Sequence, residues 1–67
     1  MNLHSCTITL SDESTLICKT VDQSLGIIEY NGTSNIERIF IDTIDGNHVR
    51  SYRNLSIEDS IESLMNL

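Results

Sequence analysis

The sequence predicts a mainly β, α+β domain: about five short antiparallel strands, as a hairpin plus a three-stranded meander, and one short C-terminal amphipathic helix. Three observations point there. Ten Ile and six Thr shift the composition toward β-branched residues, which fit a pleated, half-buried surface. Asn31-Gly32 and Asp45-Gly46 stand between apolar runs, where tight hairpin turns are found. The 67 residues contain no Pro, repeat or linker, so residues 1–67 read as a single domain. Strand order stays open between one sheet and a small half-open barrel.

The first strand is expected over Leu3–Leu10 and the second over Ser14–Val21. A three-residue loop, Ser11–Glu13, sets their register. Leu10 then faces Ser14, Ile8 faces Leu16 and Cys6 faces Cys18. An even-numbered loop would place the cysteines on opposite faces and scatter the apolar set, so the odd loop is preferred. The third strand is expected at Leu25–Tyr30, with Asn31-Gly32 as a type I′ turn into a fourth, Asn35–Ile44. Asp45-Gly46 leads into a fifth, Asn47–Arg53.

The helix is expected over Ile57–Met65. Ser56 is suited to cap it, Asp59 lies at capping-box spacing, and Glu58 and Asp59 complement the positive helix start. Ile57, Ile61 and Leu64 form one apolar stripe. This stripe covers either the domain's own sheet or a partner.

Ten acids against four Lys/Arg give a net charge of −6. That argues against direct binding to a nucleic-acid backbone, which depends on clustered positive charge. No segment approaches the roughly 18 apolar residues of a membrane span, and the N-terminus lacks the pattern of a secretory signal. The expectation is a cytoplasmic protein with two reduced cysteines. A domain this small buries only about 60% of its unfolded surface. Self-association is the expected staple.

"GNHVRSYRN", residues 46–54, holds two of the four basic residues. With a three-residue loop ending at Gly46, Asp42 faces His48, Phe40 faces Arg50, Arg38 faces Tyr52, and Ile41 pairs Val49. One sheet face then gathers Arg38, Phe40, Asp42, His48, Arg50 and Tyr52. Local partners can satisfy all of them through an ion pair and cation–aromatic contacts. The same types also suit a ring-bearing anion or a protein hot spot. Arg38, Phe40, His48, Arg50, Tyr52 and Arg53 are therefore the candidate ligand- or partner-binding residues.

His4, Cys6 and Cys18 match no zinc spacing, so no metal or other cofactor is expected. No nucleophile has both a base and an orienting group, and no Gly-rich phosphate loop exists, so no catalytic residue is assigned. The expected function is that of a non-catalytic acidic interaction protein. It is expected to be a homo-oligomer that inhibits or regulates another protein. The Ile/Asn/Ser-rich composition fits a phage or mobile-element product that blocks a host enzyme. The alternative is an oligomer that sequesters a nucleotide-like anion on the Arg/His/Tyr patch. A third reading is a polyanion mimic, which needs rows of acids on one surface.

Overall fold

A computed structural model describes all residues, Met1–Leu67. The chain forms a four-stranded antiparallel sheet and two helices. Its elements are β1 (Asn2–Leu10), β2 (Thr15–Cys18), α1 (Val21–Asn31), a short 3₁₀ turn at Thr33–Asn35, β3 (Ile36–Asp45), β4 (His48–Tyr52) and α2 (Ile57–Met65). The sheet order is β2-β1-β3-β4. The sheet is open, and a half-open barrel is not formed.

The first hairpin has the register its apolar pattern demands. Cys6 pairs with Cys18 and Ile8 with Leu16. The turn closes through Leu10 N–H to the Ser14 carbonyl at 2.8 Å, with Glu13 at a φ of 72°. Asp12 accepts from both the amide and the hydroxyl of Ser14. These hydrogen bonds hold its carboxyl below the usual range.

The segment expected as a third strand, Leu25–Tyr30, is helical and belongs to α1. The strand expectation rested on a short apolar run, which periodicity alone does not separate from a buried helix. The deciding signals lie just upstream. Thr20 Oγ1 accepts from Gln23 N–H, and Gln23 Oε1 accepts from Lys19 N–H, both at 3.1 Å. This is a variant of the capping box, satisfying amides at both sides of the helix start. Val21, Leu25 and Ile28 then recur at helical spacing against the core.

Asn31-Gly32 is accordingly a helix stop and not a hairpin turn. Gly32 takes a φ of 80° and donates its N–H to the Ile28 carbonyl at 2.9 Å. A positive φ just beyond a helix is the usual place for glycine. The expected three-stranded meander thus reduces to the β3–β4 hairpin. The chain crosses from β2 through α1 to β3 on the far side of β1.

Gly26 sits within α1, exposed, with no atom near the position a Cβ would occupy. Gly26→Ala is therefore expected to stabilise the fold by about 0.5–1 kcal/mol. For a domain of this size that corresponds to a rise in Tm of several degrees, readable by thermal circular dichroism. An unchanged or lower Tm would contradict the helical assignment.

Both helices pack on the same side of the sheet, α1 over β1 and β2 and α2 over β3. The core between them consists of Cys6, Ile8, Cys18, Ile28, Ile36, Ile39, Ile41 and Leu64. The C-terminal helix forms where the sequence places it, and Ser56 Oγ accepts from Asp59 N–H at 3.0 Å. Its apolar stripe covers its own sheet. Ser24 and Ser60 are fully buried and satisfy their hydroxyls on carbonyls one turn back, each at 2.8 Å. Small side chains there let the two helices approach the sheet and each other. No helix is long and apolar enough to cross a membrane.

Candidate functional site

The β3–β4 register determines which candidate residues share a face. Asp45 pairs with His48, Ile44 with Val49, Thr43 with Arg50, Asp42 with Ser51 and Ile41 with Tyr52. The expected pairing had set Asp42 against His48, Phe40 against Arg50 and Arg38 against Tyr52. It is corrected here by an odd shift along β3, and an odd shift turns one strand over relative to the other. The cause is the turn. Gly46 and Asn47 form a two-residue loop in which Gly46 alone has positive φ, 62°. This is the pattern of a type II′ turn, with glycine first, rather than a three-residue loop.

The expected single patch is therefore divided between two surfaces. Arg38, Phe40 and Asp42 lie on the face away from the helices, together with Val49, Ser51 and Arg53. His48, Arg50 and Tyr52 lie on the helix side.

The helix-free face has no covering layer. Two bulky apolar residues stand out on it: Ile17 is 63% exposed and Val49 53% exposed. The same face carries Phe40, across β1 from Ile17, with the Arg53 guanidinium 4.9 Å from its ring centre and that of Arg38 at 6.0 Å. Arg38 also pairs with its neighbour Glu37 at 3.2 Å.

Beside this group, Asp42 is enclosed by its row partners. Ser5 Oγ donates to Oδ2 at 3.2 Å, and Arg53 Nη2 lies 2.9 Å from Oδ1. That second contact is an ion pair and not a well-directed hydrogen bond, and Oδ1 is otherwise shielded from solvent. Burial alone would push the Asp42 carboxyl up. The hydroxyls of Ser51 and Ser5 and the guanidinium of Arg53 outweigh it and hold the group below its ordinary value.

The helix side carries a groove where the sheet extends past the end of α2. One hollow of about 250 Å³ is lined by Met1, Ile41, Thr43, Tyr52, Ser63, Asn66 and Leu67. A second, of about 160 Å³, is lined by Met1, Thr43, Asp45, His48 and Arg50. Met1 and Thr43 border both. Asp45 is across the strand pair from His48, the place the sequence had given to Asp42.

The acids are unevenly placed. α1 and α2 carry Asp22, Glu29, Glu58, Asp59 and Glu62 and no basic residue, while the three arginines are all in or beside β3 and β4. The sheet is thus the less negative side of an acidic protein.

No group of three or more His, Cys, Asp or Glu is placed to hold a metal ion. Cys6 and Cys18 are free thiols, both fully buried, while His4 falls on a β1 bulge and is exposed. Burial pushes the Cys6 thiol up, and a hydrogen bond with Ser24 offsets only part of this. Both cysteines are expected to resist a thiol reagent in the native state and to react together once urea unfolds the chain. Fast native modification of either would contradict the packing of the first hairpin.

Compared with family models, curated proteins and solved structures, the chain matches none.

Ile17, Val49, Ser63 and Asn66 border these two surfaces but were not among the sequence candidates. Ile17 could have been found. The first-hairpin register places it opposite the face of Leu16 and Cys18, so it had to point away from the core. Ser63 and Asn66 carry no such signal, because their role depends on where α2 ends over the sheet.

Proposed function

We propose that this chain is a non-catalytic interaction protein that binds another protein through the helix-free face of its sheet, and thereby inhibits or regulates it. The observation that carries this reading is Phe40 beside two guanidiniums, on the same uncovered sheet face as exposed Ile17 and Val49. Aromatic residues and arginine are the types that dominate binding energy at protein interfaces. An uncovered sheet face with several large apolar side chains is also the kind of surface that marks such interfaces. Arg38 and Arg53 lower the negative charge on this side, so the partner surface should offer an apolar centre with acidic or neutral surroundings. Self-association through the same face would also enlarge a small core.

The reading is tested with a double variant, Ile17→Asp/Val49→Asp. Both positions are exposed, so the fold is retained. The parent protein should capture a specific partner from bacterial lysate at low salt, and the double variant should lose it. Equal capture by the two proteins, or no partner for the parent, would sink the proposal.

A further inference from the structure

We propose that the groove on the helix side is a separate binding site, for a nucleoside monophosphate whose base carries an exocyclic amino group. The two adjoining hollows share Met1 and Thr43. Together they reach the lower end of the roughly 300–1,000 Å³ typical of small-ligand sites.

The lining is polarised along its length. At one end is Arg50. Arg38 and Arg53 each have a carboxylate partner, whereas Arg50 has none within ion-pairing distance. An arginine fork without a partner suits a phosphate. In the middle, Ile41 and Tyr52 provide an apolar wall and a ring. Tyr52 and Arg50 alternate along β4, so their side chains are spaced by about 7 Å. That is close to the reach from a base to its 5′-phosphate.

At the other end the C-terminus of α2 contributes Ser63 and Asn66. A helix C-terminus gathers carbonyl oxygens and the negative end of the dipole. It disfavours a phosphate and accepts hydrogen bonds from an amino group. The ligand is thereby oriented: amino-bearing edge at α2, ring beside Tyr52, phosphate at Arg50.

Asp45 is the only acidic side chain in the lining and lies beyond Arg50, opposite His48. It repels any further phosphate, so a monophosphate fits and a triphosphate does not. This site lies on the opposite side of the sheet from the protein-binding face, and neither proposal depends on the other.

The test is a titration of the ¹⁵N-labelled chain with adenosine monophosphate, followed by amide NMR. Saturable shifts are expected at Thr43, Arg50 and Asn66. Adenosine, inorganic phosphate and inosine monophosphate, which lack the charge, the ring or the amino group, should each bind more weakly. Arg50→Gln, at an exposed position, should weaken binding about tenfold or more. Ser63→Phe should block the groove from the helix side. The assignment is overturned if adenosine monophosphate gives no saturable shift, if Arg50→Gln binds like the parent, or if the shifts fall on the helix-free face. ATP binding as tightly as the monophosphate would overturn the role given to Asp45.

Discussion

Leu64→Ala is expected to leave the protein marginally folded at room temperature. Leu64 is fully buried and is the one apolar α2 side chain buried in the core. Truncating a leucine in such a place costs about 2–5 kcal/mol, a lost transfer free energy plus the cavity left behind. A chain of this length has on the order of 3–10 kcal/mol in total, at the usual stability per residue. The loss is therefore comparable with the whole. In a urea titration the midpoint should fall sharply with the slope unchanged. Met65, next in sequence, is 68% exposed. Met65→Ala should move the midpoint little, within the ordinary scatter of surface changes. Equal effects at the two positions would mean that α2 does not dock as described.

Arg53→Ala is expected to have the second-largest effect, through the carboxylate it leaves behind. Asp42 Oδ1 is shielded from solvent and faces Arg53 Nη2 at 2.9 Å. Without the guanidinium this oxygen has no charged partner. A buried acceptor left unsatisfied costs about 1–3 kcal/mol. The Arg53 side chain is 43% exposed, so solvent screening places the expected loss at the low end, about 1 kcal/mol.

The pH dependence has a definite sign. The folded-state pKa of Asp42 is lowered, so its contribution is complete above the unfolded carboxylate value near pH 4. It is lost as pH falls through the lower folded value. Arg53→Ala should raise that folded value and shrink the acid-side loss of stability. Asp42→Asn should remove this part of the acid limb altogether, leaving the part due to Asp12. Urea midpoints measured from pH 7 down to pH 2 for parent and both variants check this. Identical acid limbs in all three would contradict the Asp42–Arg53 pairing.

These two results depend on parts of the structure that were unequally legible in the sequence. The α2 helix and its apolar stripe were readable, though not what the stripe covers. Ser56 and Asp59 mark the helix start, and Ile57, Ile61 and Leu64 give its stripe without competing signals. The first hairpin was readable too, because only an odd loop puts Cys6, Ile8, Leu16 and Cys18 on one face.

The Asp42–Arg53 pair was not readable, because it depends on the β3–β4 turn. Asp-Gly suits several turn geometries, and a two-residue loop and a three-residue loop give opposite faces. The apolar pattern could not arbitrate. β4 is short and carries Val49 on one face and Tyr52 on the other, so neither choice left an obvious misfit.

α1 was missed for a related reason. Leu25–Tyr30 is compatible with both periods, and the Thr20/Gln23 cap outweighed the strand propensity of its isoleucines. The candidate residues fall on two surfaces, Arg38, Phe40 and Arg53 on one and His48, Arg50 and Tyr52 on the other.

The helix-free face is the surface proposed to dock another protein. Methyl NMR of the labelled chain, with and without the captured partner, tests it most directly. The predicted result is broadening and shifting of the Ile17 and Val49 methyls, with Ile57 and Ile61 on the α2 side unchanged. Response at Ile57 and Ile61 with Ile17 and Val49 silent would contradict it, and would move the docking surface to the acidic helical layer.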